Sequence, residues 1–271
     1  MTSNVQRATS AMTDLSRPRL DLDPVLGLEE WLWCFDFTNI WCNPSADATP
    51  ANGTTFRNMA RDFAVPNTQA PDGILRNAGA TITQAANRGG LIFPAGTKDV
   101  TDFVEIGADY MDFSTGNDDY LVIVWDLQPT SGYNTAAYQP ILWDTTNNAN
   151  VASLWIDSGA DGKTMRGVLG TGASSAASNG GSTGQGAARQ LAFSRIGTQM
   201  DFYINGALVN SYGAGPATLQ DTDTATYKTK LAANHTGRIY KTAGCRLGGS
   251  YDRPVADIVA RDWAAKPLAL R

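Results

Sequence analysis

The apolar positions of this chain fall in short alternating runs separated by turn residues, and the longest run organises the rest. Asp119-Tyr-Leu-Val-Ile-Val-Trp-Asp-Leu127 puts Leu121, Ile123 and Trp125 on one side of an extended chain and Tyr120, Val122 and Val124 on the other. Apolar residues on both sides predict a central strand covered on both faces. Farther along, residues 200–212 alternate on either side of Asn205-Gly206, the pair that a two-residue hairpin turn asks for because both turn positions take positive φ. A first strand is predicted at 30–38, where Trp31, Trp33, Phe35 and Phe37 share one side. Further strands are predicted at 73–76, 90–93, 103–106, 138–144, 151–157, 163–169, 189–195 and 197–204. Residues 237–240 and 245–248 read as edge strands.

Helical periodicity is scarce. Phe56, Met59 and Phe63 recur at a spacing that predicts a short helix over 56–64. Val255, Ile258, Val259 and Trp263 share one helical face, with Pro254 suited to a first helical turn; the same residues also fit a closing strand. Short strands without a βαβ rhythm or an internal repeat predict an all-β protein, an antiparallel β-sandwich of jelly-roll type with little helix.

Two stretches stand apart from this pattern. Residues 1–24 are a polar N-terminal arm with sparse apolar side chains. It is expected either to lack fixed structure or to be ordered across a neighbouring subunit, with Arg17, Arg19, Leu20 and Leu22 as the contact residues. Residues 170–188 hold no apolar side chain larger than alanine and predict a flexible Gly/Ser-rich loop. The remainder, 25–271, reads as a single domain.

Composition narrows the classes of function. Charged residues make up 17% of the 271, low for a soluble domain, and 27 glycines accompany a surface built from Ser, Thr and Asn. A net charge of -5 with no basic run argues against a nucleic-acid partner, and no apolar run approaches membrane-spanning length. The first 23 residues show no apolar core of a signal peptide. Sparse charge leaves neutral surfaces that are cheap to bury against other subunits. Three cysteines, Cys34, Cys42 and Cys245, are too few and too scattered for a disulfide framework.

Candidate chemistry is thin. Glycosidase action needs two carboxylates across a cleft. Only Glu29, Glu30 and Glu105 are glutamates, and the best aspartate pair, Asp126 and Asp144, reads more simply as acceptors of turn hydrogen bonds at sheet edges. His235 is the sole histidine, in Asn234-His-Thr-Gly237, and no serine nucleophile elbow accompanies it. Its spacing from the cysteines does not suit zinc. Asp157, Asp161, Asp221 and Asp223 are weak calcium candidates in acidic turns. No cofactor motif is present. Trp125, Trp143 and Trp155 recur in consecutive strands, either stacked in the core or exposed for sugar stacking, and Tyr133 and Tyr138 are candidate glycan contacts.

The segment Phe202-Tyr-Ile-Asn-Gly-Ala-Leu208, with residues 120–127 and Cys245-Arg-Leu-Gly-Gly249, resembles the concanavalin A-like lectin/glucanase superfamily, particularly its laminin-G-like members. That resemblance implies a two-sheet fold over about residues 70–262 and carries no catalytic glutamate strand across. In style the chain is also similar to bacteriophage virion proteins that decorate heads or tails. The expectation that follows is a non-enzymatic structural protein of a virion, made in the host cytoplasm and assembling as a homo-oligomer or with other virion proteins. A carbohydrate-binding lectin-like module is the alternative, and a glycan-active hydrolase the second.

Overall fold

Asp119–Leu127 is hydrogen-bonded to a neighbour on each side, and every residue between its two ends is buried. A computed structural model describes residues 30–45, 47–62, 68–69, 72–79, 81–94, 102–107, 119–130, 139–143, 153–157, 164–169, 176–182, 186–213, 229–231, 236–247 and 253–271. In chain order the strands begin with β1 (Glu30–Asp36), β2 (Thr55–Phe56), β3 (Arg61–Asp62), β4 (Thr68–Gln69), β5 (Gly73–Asn77), β6 (Thr83–Gln84), β7 (Leu91–Phe93), β8 (Asp102–Gly107) and β9 (Asp119–Leu127). They continue as β10 (Gln139–Trp143), β11 (Ser153–Asp157), β12 (Thr164–Leu169), β13 (Ala176–Ser182), β14 (Arg189–Ile196), β15 (Gln199–Ile204), β16 (Ala207–Tyr212), β17 (Thr229–Leu231) and β18 (Gly237–Leu247). One α-helix, α1 (Val255–Ala265), follows among the described residues.

The protein is all-β, with two main sheets of antiparallel strands. The first runs β16-β15-β14-β9-β18-β7-β6, with β1 also paired to β18; the second runs β13-β12-β11-β10-β17-β8-β5-β2; β3 and β4 form a small ribbon. Aromatic side chains join the two sheets. Phe35 of β1 lies over Gly73 of β5, where an added Cβ would stand 3.1 Å from its ring, and Phe37 meets Phe56 of β2 edge to face at 4.9 Å.

Several expectations hold. β9 is central, and Leu121, Val122, Ile123, Val124 and Trp125 are all buried. The hairpin turn between β15 and β16 has φ of 52° at Asn205 and 82° at Gly206, the left-handed values that this turn demands. The 255–265 segment resolves as helix because Val255, Ile258 and Val259 are buried on one side of it.

Others are corrected. No helix spans 56–64: Phe56 ends a short strand, and Asn58 pins the chain by accepting the Cys34 and Ala60 amides at 2.9 and 3.0 Å. The two predicted edge strands are one eleven-residue strand, β18, lying in the middle of the first sheet. Gly244 lets it run straight through, because Trp33 fills the space that a Cβ would need, at 2.2 Å. The Gly/Ser-rich stretch 170–188 contains β13, which borrows its ladder from β12.

Helix α1 docks on the first sheet through a buried polar knot. Asp262 accepts hydrogen bonds from Lys241 Nζ at 2.7 Å, Trp125 Nε1 at 2.6 Å and Gln190 Nε2 at 2.6 Å. Gln190 in turn donates to the Val259 carbonyl and accepts the Gly206 amide, so one glutamine ties helix, strand and hairpin turn together. Trp263 stacks on Trp125 with ring centroids 5.2 Å apart. Trp125 therefore pairs with the helix rather than with Trp143 and Trp155, which belong to the second sheet.

Candidate functional site

The strongest arrangement outside the core lies on the second sheet, on the side away from the first. Gly73, Leu75, Val104 and Ile106 of β5 and β8 are buried toward the core, so the alternate positions Ile74, Arg76, Phe103 and Glu105 occupy the other face. There Arg76 Nε donates to Glu105 Oε2 at 2.7 Å. The carboxylate is buried, while the arginine side chain is 38% exposed. A buried acid thus holds a half-exposed guanidinium in place.

Backbone register extends this face across the sheet. Glu105 pairs with Ile74 on one side and with Lys230 on the other, and Lys230 pairs with Trp143. Leu231 is fully buried, and its pairing with Leu142, and that of Leu142 with Leu154, sets those leucine positions toward the core. Trp143 and Trp155, one residue on, fall on the same face as Glu105. A second row then runs Trp155, Arg166, Asn179 over β11, β12 and β13. Two tryptophan positions and several hydrogen-bonding positions share one sheet surface.

Two other polar groups serve the fold. Asp126 was expected at a sheet edge; instead it is fully buried, and Arg189, its direct partner across β9 and β14, grips it through Nε at 2.7 Å and Nη2 at 2.9 Å. Gln128 accepts from the same Nη2 at 3.3 Å. The Asp262 knot is the second. Neither was visible in sequence, because Arg189 is 63 residues from Asp126, and Lys241, Gln190 and Trp125 are 21, 72 and 137 residues from Asp262.

Of the residues singled out from sequence, Asp157 ends β11 opposite Thr164, and its side chain lies outside what is described. Asp161, Asp221, Asp223, Tyr133, Tyr138, Asp144, His235, Arg17, Arg19, Leu20 and Leu22 lie outside the described residues. Cys34, Cys42 and Cys245 are buried free thiols. Burial, with Asp36 nearby, raises the Cys42 thiol well above its ordinary range. Burial likewise raises the Tyr203 hydroxyl, aided by Asp201 and opposed by a hydrogen bond with Ser194. The Arg76–Glu105 pair was missed because Glu105 drew notice only as one of three glutamates. The signal that could have found it was alternation on two strands, with Arg76 and Glu105 each one step from a core residue.

No protein-family model matches the chain, and no curated protein does. Solved structures do. The chain is similar to Trypanosoma rangeli sialidase in complex with sialic acid, at 15% identity and a TM-score of 0.52, over 82% of this chain and 33% of that one. It is similar also to domain 4 of AbnA, a GH43 extracellular arabinanase from Geobacillus stearothermophilus, in complex with arabinotriose, at 15% identity and a TM-score of 0.51, over 88% of this chain and 99% of that domain. The chain spans about a third of the sialidase and nearly all of the arabinanase domain. At these identities the likeness is one of fold.

These matches correct the functional expectations. The sialidase and the arabinanase are carbohydrate-active enzymes, not virion components, and the arabinanase is extracellular. This overturns the virion role, the host-cytoplasm and particle location, and assembly with virion proteins or as an arm-linked homo-oligomer. The sequence resemblance to concanavalin A-like lectins and phage proteins falls with them. Its most specific element, the Asn-Gly hairpin, is what strand twist selects in any tight two-residue hairpin. The expectation of a non-enzymatic protein is corrected too, because the matched structures include a sialidase and a GH43 arabinanase. No helix among the described residues is long and apolar enough to cross a membrane.

Proposed function

We propose that this protein is a carbohydrate-binding module and that the outward face of the second sheet is its glycan platform. The observation that carries the reading is the strand register, which sets the positions Trp143 and Trp155 on the same sheet face as Arg76, Glu105, Arg166 and Asn179. A sugar ring has an apolar C–H face and a polar rim. Indoles suit the first, and planar charged or amide groups suit the second. The fold likeness to an arabinanase domain bound to arabinotriose supports the same reading.

With it goes the finer architecture, a jelly-roll sandwich whose inner faces meet at Phe35, Gly73, Phe37 and Phe56. Tyr133 and Tyr138, just ahead of β10 in the chain, are proposed as further glycan contacts, and Asp157, Asp161, Asp221 and Asp223 as calcium candidates. A working place outside the cell suits such a module.

The test is a glycan panel probed with the full chain, with and without a calcium chelator, followed by chromatography of the recovered sugars. Saturable binding weakened about tenfold or more by Trp155→Ala, the loss of roughly one stacked ring, supports the platform. Cleavage products would extend the reading to hydrolysis. Binding unchanged in Trp143→Ala, Trp155→Ala and Arg76→Ala would remove it.

A further inference from the structure

Resting on the glycan-platform reading, we infer that the ligand is an acidic saccharide whose carboxylate is received by Arg76. Arg76 gives only its Nε to Glu105; Nη1 and Nη2 have no hydrogen bond to a described residue, and the side chain is 38% exposed. The guanidinium is therefore already oriented, with its outer edge open. A planar fork of that kind matches a carboxylate with two parallel N–H···O bonds, a geometry that a lone hydroxyl cannot use in full.

The charge of the face agrees. Although the chain carries 21 basic and 26 acidic residues, register places three cationic positions here, Arg76, Lys230 and Arg166, against two acidic ones, Glu105 and Asp157. Glu105 is mostly buried and already engaged by Arg76. It is a positioning residue: it sets the guanidinium plane and leaves the open edge for the ligand. Cationic positions that outnumber acidic ones on this face favour an anionic chain over a neutral one.

The test is titration calorimetry of the full chain with two acidic probes, trigalacturonic acid and 3′-sialyllactose, each against a neutral counterpart, carboxyl-reduced trigalacturonic acid and lactose. The inference predicts binding of at least one acidic probe about tenfold or more tighter than its neutral partner, a preference reduced by added salt. Arg76→Gln should abolish the preference, and Arg76→Lys should restore it in part. The half-exposed position makes both variants compatible with folding, which a melting curve checks. Preference for trigalacturonic acid alone assigns a uronic-acid chain, and preference for 3′-sialyllactose alone a sialylated one. Equal binding of neutral and acidic probes, or a preference that survives Arg76→Gln, overturns the inference while leaving the glycan platform standing. Binding of neither kind, here or on the wider panel, overturns both.

Discussion

Trp125 and Trp263 lie ring on ring, 5.2 Å between centroids and 8° from parallel, although 138 positions separate them in the chain. Beneath that stack Asp262 gathers the Trp125 indole, the Lys241 ammonium and the Gln190 amide. The C-terminal helix is held by this knot and by the apolar side chains Val255, Ile258 and Val259.

Replacing Asp262 by Ala should therefore destabilise the protein by about 3–5 kcal/mol, because Lys241 is left charged and buried without its carboxylate. The combined replacement Asp262→Leu with Lys241→Met should cost much less than the sum of the two single changes. Urea unfolding of Asp262→Ala, of the two single changes and of the double variant measures both values. Simple additivity would show that the ion pair is not the fastening.

Asp126 and Arg189 form a second test of the same physics. Their two-point contact is fully buried, so Asp126→Ala should also cost about 3–5 kcal/mol, and Asp126→Asn should cost less because one hydrogen bond to the guanidinium survives. A double-mutant cycle with Arg189→Met should return a coupling well above the value of about 1 kcal/mol or less typical of surface pairs.

Three glycines should respond differently to alanine. At Gly197, φ is +58° and no atom stands near the added Cβ, so only the left-handed backbone cost of about 1–2 kcal/mol applies. At Gly206 the same kind of cost is joined by contact with Trp263 at 2.9 to 3.0 Å, which should loosen the docked helix. At Gly244 the new methyl would collide with Trp33 at 2.2 Å in the middle of β18, and this variant should be the least stable of the three. Thermal melts of the series give the order directly.

Stability should fall at alkaline pH. Burial, with Asp36 nearby, raises the Cys42 thiol, and burial, with Asp201, raises the Tyr203 hydroxyl, so both resist ionising while folded. Their contribution is fully present below the unfolded-state values, about 8.5 for cysteine and about 10 for tyrosine, and is lost as pH rises from there toward the folded values. Urea midpoints should stay flat through neutrality as far as these two groups are concerned, then decline. Cys42→Ala should make the first part of that decline shallower.

How much of this was legible in the sequence depends on the range of the forces involved. β9 and the Asn205-Gly206 turn could be read because their causes are local: alternation along one strand and positive φ at two adjacent residues. β18 looked like two edge strands because Lys241, Thr242 and Gly244 interrupt its apolar pattern. Each interruption is answered from far away, by Asp262 for Lys241, by the Trp33 indole for Thr242 and by the bulk of Trp33 for Gly244. Helix α1 was ambiguous because its four apolar residues fit two periods, and Asp262, polar yet fully buried, hid the helical face. The candidate platform was harder still. Trp143 and Trp155 were noticed, but their common face with Glu105 and Arg76 arises only from the pairing of β17 between β8 and β10.

The most direct measurement is titration of the full chain and of the double variant Trp143→Ala/Trp155→Ala with the oligosaccharide that a broad panel selects. Saturable binding by the native protein, lost or weakened about a hundredfold in a double variant that melts normally, is the predicted result for two stacked rings. Equal binding by both proteins would place any glycan site elsewhere and contradict the assignment of this face.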